Sequence, residues 1–172
     1  YCEEYKLPMN KKIKEFSTGM TRKLQIFAAI THKAKLLLLD EPTSGLDVVA
    51  REQMLTLLRE YMETEGRAIL ISSHLSGDLE TFCDDIYLIQ KGTITFHEEM
   101  DRLLDAYGLL KVSDEVYKKM DKSHIICRKK ENFGWSCLTD QKAYYQMHNP
   151  EIVIEKGSVD ELILLMAGGE RI

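Results

Sequence analysis

The chain has 172 residues, of which 44% are hydrophobic and 30% are charged, with 23 Lys+Arg against 28 Asp+Glu. Length and composition indicate one globular domain or two small ones, with enough apolar residues for a sizeable core. The net charge of −5 argues against nonspecific binding of DNA or RNA. The longest apolar runs, 36–39 and 162–167, are too short for a membrane span of about 20 residues.

The N-terminal part alternates helices and strands. Helical spacing of apolar residues predicts helices over 18–32, 48–64 and 77–83. Short apolar runs predict strands over 36–39 and 68–72, and a hairpin is expected over 86–96 around Lys91-Gly92. Strands separated by helical crossovers predict a parallel α/β sheet, and strands apolar on both faces predict burial in it.

The pattern changes near Tyr107, which divides the chain into 1–106 and a small α+β domain, 107–172. The predicted strands of this tail are 109–112, 124–130, 133–138 and 151–154, and its predicted helices are 114–121, 139–147 and 158–167. That order, β-α-β-β-α-β with a closing helix, is compatible with a ferredoxin-like layer. The four cysteines form no CxxC pair, so we expect reduced, buried thiols, with a redox contact between Cys127 and Cys137 as the alternative.

Chemistry-bearing side chains follow both predicted parallel strands. Asp40 and Glu41 follow four leucines, at the carboxyl end of a strand, where open α/β sheets bind ligands. One carboxylate there can hold Mg²⁺ through its water shell, and a second can polarise an attacking water. His74 ends the next strand, and an imidazole can contact a phosphate oxygen. Taken singly, Asp40 and Glu41 fit a structural role equally well, and a lone histidine is more often a structural residue.

Ser17 and Gly19 open the first helix. A helix start with a hydroxyl residue and a glycine presents N–H groups and a positive dipole end to an anion, although a simple Ser N-cap explains the same pattern. Ser44-Gly45-Leu46-Asp47 follows the carboxylates directly.

Together, these four elements resemble the ABC-type ATPases. Phe16–Met20 is similar to the signature sequence, usually LSGGQ, and Leu36–Glu41 resembles Walker B with its catalytic Glu. Ser44–Asp47 resembles the D-loop, and His74 resembles the switch histidine. The resemblance covers about residues 10–100. It implies a nucleotide-binding subunit that forms a head-to-tail dimer, homomeric or heteromeric, with two ATP molecules between the subunits.

The resemblance also implies a role for each matching residue. Glu41 would be the general base, Asp40 would help hold Mg²⁺, and His74 would contact the γ-phosphate. Asp47 would help join the two sites across the interface. The signature positions would bind the nucleotide held by the opposite subunit, and these are Ser17, Thr18, Gly19 and Met20.

Two signature positions depart from the family pattern. Thr18 replaces the first glycine and adds a Cβ, and Met20 replaces the glutamine and cannot donate a hydrogen bond. We expect weaker signature binding but not a dead site, because Glu41 is intact.

The phosphate-binding loop GxxxxGK[ST] does not occur, and the dipeptide Gly-Lys is absent. The family places this loop upstream of the signature, so we expect the chain to be the C-terminal part of a phosphate-loop-type ATPase domain plus a tail. Without the upstream strands it should be inactive alone and should expose apolar sheet surface.

The leading hypothesis is an ATP-hydrolysing subunit of an ABC transporter, an exporter by its STGM-type signature. It would be cytoplasmic, peripheral on the inner face of the membrane, docked on separate transmembrane permease subunits, and without nucleic acid. The alternatives are a soluble ABC-type ATPase acting on ribosomes or DNA, and an interaction module in which the tail is the functional part. Long heptads, tandem cassettes and basic linkers, expected for the ribosome or DNA alternative, do not occur.

Overall fold

The computed structural model describes residues 1–5 and 7–171 and divides them into two compact units, Tyr1–Asp78 and Leu79–Ile172. The boundary drawn from motifs, after residue 106, stays a prediction. None of the helices within the described ranges has the length and apolar character needed to cross a membrane.

The first unit contains the predicted alternation of helices and strands. Its elements, in chain order, are a 3-10 turn Ile13–Glu15, α1 Thr18–Thr31, β1 Leu36–Asp40, α2 Val48–Met62, β2 Ala68–Ser72 and the start of α3 Ser76–Phe82. Ser17 caps α1 by accepting from the Met20 N–H at 3.3 Å, and Asp47 caps α2 by accepting from the Ala50 N–H at 2.8 Å. β1 and β2 pair in parallel with Asp40 opposite Ser72, so the predicted parallel α/β fold is confirmed.

Burial of the two strands on both faces was the wrong expectation. Leu37 is buried, but Leu36, Leu38 and Leu70 are 53%, 70% and 60% exposed on the other face. The reason is that β1 and β2 form a two-stranded sheet, and no element within the described residues covers these leucines on its other face. The exposed apolar sheet surface that the sequence predicted is therefore present.

After the last residues of α3, the second unit continues with a hairpin and a helix. Within this unit lie β3 Asp85–Gln90, which pairs antiparallel with β4 Thr93–Glu99, and α4 Met100–Ala106, a helix that the sequence analysis did not predict. Ile86, Met100 and Leu103 pack in one core with Val159, Leu162 and Leu165 of the tail, so the hairpin and α4 share the tail's core.

The tail forms a five-stranded antiparallel sheet in the order β8-β5-β7-β6-β9. Its elements are β5 Gly108–Val112, α5 Asp114–Lys119, β6 Ile125–Glu131, β7 Gly134–Thr139, α6 Lys142–His148, β8 Val153–Glu155, α7 Val159–Gly168 and the short edge strand β9 Glu170–Arg171. Since β7 lies between β5 and β6, the first βαβ unit is split as in ferredoxin-like folds, and this part of the fold prediction is confirmed.

Helices cover both faces of this sheet. On one face Leu109 and Leu138 pack with α4 and α7, and on the other Leu110 and Cys137 pack with Tyr117 of α5 and Tyr145 of α6. Because Cys127 belongs to the first core and Cys137 to the second, the two thiols face opposite sides of the sheet. The alternative of a redox contact between them is therefore wrong. Both are buried free cysteines, as expected, whereas the expected burial of Cys2 and Cys83 is wrong, because both are partly exposed.

Candidate functional site

Ser72 joins the carboxyl ends of β1 and β2. Its hydroxyl donates to Asp40 Oδ1 at 2.5 Å. The main-chain N–H of Glu41 donates to the carbonyl oxygen of Ser72 at 3.0 Å and reaches its hydroxyl oxygen at 3.3 Å. Parallel pairing thus places Asp40 and Glu41 against the end of the next strand, as the sequence predicted. Sequence reasoning gave Ser72 no role of its own, and only its register with Asp40 reveals one.

Glu41 and His74 form a direct hydrogen bond. His74 Nδ1 lies 2.7 Å from Glu41 Oε2. An ionised carboxylate only accepts, so the bond requires the proton on Nδ1. The His74 side chain is 64% exposed and that of Glu41 30% exposed, so the pair faces solvent at the strand ends.

The backbone of Glu41 adopts the left-handed conformation. Its φ is +48°. Among the described non-glycine residues, Lys33 and Lys91 also have a positive φ. A side chain in this region costs about 1–2 kcal/mol, and such strain collects at functional sites. The strained turn directs the Glu41 side chain away from the strand and toward His74.

A second group joins the start of α1 to the loop before α2. A Cβ at Gly19 would lie 3.3 Å from Leu46 Cδ2, and a Cβ at Gly45 would lie 3.7 Å from Thr18 Cγ2. Gly45 has a φ of +76°, which suits glycine. The predicted signature and D-loop segments therefore contact each other, and the D-loop is joined to Glu41 by the Ser44 N–H, which donates to the Glu41 carbonyl at 3.2 Å.

The loop between Glu41 and Asp47 is held by a buried hydrogen bond that the sequence analysis missed. Thr43, which is fully buried, donates from Oγ1 to Asp78 Oδ2 at 2.7 Å. Arg51 Nη1 of α2 lies 3.9 Å from Asp78 Oδ1. Threonine after Pro42 and aspartate four residues after His74 carry no signal of their own, since both residue types are common in loops and first helical turns.

The donors at the strand ends fit a cation that keeps most of its water. No group of three or more His, Cys, Asp or Glu side chains suited to a metal occurs in the described part of the chain. Asp40 offers one exposed carboxylate, of which Oδ1 accepts from the Ser72 hydroxyl. Mg²⁺ commonly binds through one or two carboxylates, water and substrate phosphates, so Asp40 is a fitting ligand and not a complete cage.

Comparison with known proteins shows which class of protein this chain resembles. Residues 11–77 match the family described as "AAA domain, putative AbiEii toxin, Type IV TA system". The uncharacterized ABC transporter ATP-binding protein YdbJ of Bacillus subtilis is 43% identical over 86 residues, which are 50% of this chain and 28% of YdbJ. A solved structure described as the ATP binding subunit of an ABC transporter superposes with a TM-score of 0.54 at 28% identity, over 59% of this chain and 43% of that one.

The resemblance to ABC transporter ATP-binding subunits is therefore confirmed. A further relative, the lantibiotic transport ATP-binding protein SrtF of Streptococcus pyogenes, is 36% identical over 91 residues, covering 53% of this chain and 39% of SrtF. The chain thus spans between a quarter and two fifths of the length of these curated relatives.

Proposed function

We propose that the chain is part of an ATP-binding and ATP-hydrolysing subunit of an ABC transporter. The observation that carries the proposal is the Glu41–His74 hydrogen bond beside Asp40, at the carboxyl ends of two parallel strands. Two carboxylates with different partners in one place can divide the tasks of metal binding and proton transfer.

Bound Mg²⁺ and ATP would supply the cleavable γ-phosphoryl group and the charge that neutralises it. Asp40 would hold the ion, with one carboxylate oxygen fixed by Ser72. Glu41 would take the proton from an attacking water. His74 would fix the Glu41 carboxylate through Nδ1, and a ring that also donates from Nε2 would bridge Glu41 and a γ-phosphate oxygen.

The signature and D-loop group would act in a second subunit. Ser17, Thr18, Gly19 and Met20 would bind the nucleotide held by the partner, and their contact with the D-loop segment supports a common surface for both. Asp47 caps α2 with Oδ1, so in this proposal its role across the interface would be served by the other oxygen or by the loop backbone.

The wider proposal is an exporter subunit. It would lie on the cytoplasmic face of the membrane and bind transmembrane permease subunits and a second ATPase subunit, identical or not. The similarity to ABC transporter ATP-binding proteins supports transport, and the STGM-type signature supports export. The chain alone would be inactive, because it contains no phosphate-binding loop.

The deciding experiment is Glu41→Gln in a protein that joins this chain to an upstream phosphate-binding loop. The amide keeps the size of the side chain and cannot accept the proton, so hydrolysis should fall by about 10²–10⁴-fold while ATP still binds. Glu52→Gln, at an exposed position of α2, is the matched control and should leave turnover unchanged.

Asp40→Asn gives the complementary result. It should weaken Mg²⁺-dependent nucleotide binding itself, because it removes the charge that faces the cation. Full turnover by Glu41→Gln, or Glu41-dependent turnover by the chain alone, would contradict the proposed roles.

A further inference from the structure

The hydrogen bond between Thr43 and Asp78 joins the two segments that carry Glu41 and His74. Thr43 lies two residues after Glu41, and Asp78 lies four residues after His74. The bond therefore joins the loop that leaves the general base to the helix that follows the histidine. Thr43 has no exposed surface and Asp78 is 6% exposed. A buried hydrogen bond to a charged acceptor fixes geometry more firmly than an exposed one.

The same carboxylate also faces α2. Arg51 Nη1 lies 3.9 Å from Asp78 Oδ1, too far for a hydrogen bond and near enough for charge attraction. Arg51 lies on the first turn of α2, the helix that Asp47 caps. Asp78 thus faces one group from each of two segments, the loop after Glu41 and the helix after the D-loop.

The loop between these segments, residues 42–46, lies outside the helices and strands of the described chain. It turns twice through main-chain bonds, from the Ser44 N–H to the Glu41 carbonyl and from the Leu46 N–H to the Thr43 carbonyl, both at 3.2 Å. These turns fix the loop internally, and the Glu41 N–H bonds to Ser72 tie its start to β2. The Thr43–Asp78 bond adds a side-chain constraint between the loop and the start of α3.

We infer that Thr43 and Asp78 are positioning residues that hold Glu41 at hydrogen-bond distance from His74 and hold the D-loop segment relative to that pair. Neither residue touches the reacting atoms. They act through the loop, which transmits a shift at Thr43 to Glu41 on one side and to Gly45 on the other. The inference rests on the proposed ATPase site for its catalytic consequence, but the effect on His74 is a property of this chain alone.

The first measurement is nitrogen–proton NMR of the His74 ring in the chain itself. The wild type should show a hydrogen-bonded Nδ1–H. Thr43→Val keeps the shape and removes the hydroxyl, so the Nδ1–H signal should be lost or move toward that of a solvated ring, and Thr43→Ser should restore it. Glu52→Gln is the control and should leave the ring signals unchanged.

The second measurement is hydrolysis in the protein that includes the phosphate-binding loop. Thr43→Val should lower kcat by roughly 10- to 100-fold with the KM for ATP unchanged, because a small displacement of a catalytic group costs turnover more than binding. Thr43→Ser should recover most of kcat. If Thr43 had a purely structural role, Thr43→Val would lower the stability of the protein without lowering kcat at constant KM.

Each outcome has one meaning. A folded Thr43→Val chain with unchanged His74 signals overturns the inference. If Thr43→Val does not fold, Asp78→Leu replaces it, because leucine is similar in size and offers no acceptor to the Thr43 hydroxyl. Unchanged His74 signals and unchanged kcat in Asp78→Leu would then overturn the inference. Altered His74 signals together with full turnover by Glu41→Gln would leave positioning intact and refute the ATPase roles instead.

Discussion

The left-handed backbone at Glu41 predicts an unusual response to substitution. At most positions glycine is less stable than alanine, because glycine loses more conformational freedom on folding. At Glu41, with a φ of +48°, any Cβ meets the steric cost of the left-handed region. We therefore expect Glu41→Gly to be more stable than Glu41→Ala.

The size of the difference follows from two opposing quantities. Removing the Cβ should recover roughly 1–2 kcal/mol of steric cost. The greater conformational freedom of glycine in the unfolded chain should offset roughly 0.5–1 kcal/mol of this gain in stability. Glycine should therefore exceed alanine by about 0.5–1 kcal/mol in free energy of unfolding. The bond to His74 does not enter, since both variants lack the carboxylate, and both keep the main-chain N–H that donates to Ser72.

Native-state hydrogen exchange of the β1 and β2 amides measures this difference, because it reports the opening free energy of the first unit directly. Trp135, the only tryptophan of the chain, lies in the second unit, and its fluorescence should not change. The matched control is the same pair of substitutions at Glu52 in the middle of α2, where glycine should be about 1 kcal/mol less stable than alanine. Equal or greater stability of Glu41→Ala over Glu41→Gly would refute the argument from strain.

Three further predictions concern the second unit. Leu110→Ala, at a position with no exposed surface, should lower the free energy of unfolding by about 3–5 kcal/mol, measured by urea denaturation with Trp135 fluorescence. Burial raises the pKa of the Cys137 thiol to about 12. A thiolate-specific reagent at pH 8 should therefore label Cys2 long before Cys137 in the folded chain, and equal labelling rates would contradict the burial of Cys137 in the core. Hydrogen bonds from the Ser123 N–H and hydroxyl and from Tyr144 lower the pKa of Asp121 to about 2. The stabilising contacts of the Asp121 carboxylate should therefore persist at pH 4 and be lost as the pH falls through about 2. An NMR titration of Asp121 checks this, and Tyr144→Phe should raise the pKa of Asp121.

The elements that the sequence predicted well are those with a complete local signal. The four leucines 36–39 and the apolar run 68–72 are bounded by polar residues, and both became strands with the expected parallel pairing. In the tail, the alternation of strands and helices was enough to predict the split βαβ order, because few sheet orders suit that sequence of elements.

The elements that the sequence missed depend on packing between distant residues. The spacing of Met100 and Leu103 fits either a helix or the end of a hairpin, and only their burial against α7 decides between them. Ser72 and Asp78 were missed in the site for the same reason. Their partners, Asp40 and Thr43, lie 32 and 35 residues away in the chain, so a local pattern carries no sign of either bond.

Exposure of the Glu41–His74 pair bears on whether this chain could act by itself. In the proposed ATPase, a general base and its hydrogen-bond donor would act most strongly where water is excluded, since water screens both. His74 is 64% exposed, and the neighbouring face of β1 and β2 leaves Leu36, Leu38 and Leu70 open to solvent. A surface packed on these leucines would bury the open face of the sheet, and a surface that covered His74 would exclude water from the carboxylate. We therefore expect the pair to be geometrically formed in this chain but catalytically silent until the phosphate-binding loop and a partner's signature segment cover it.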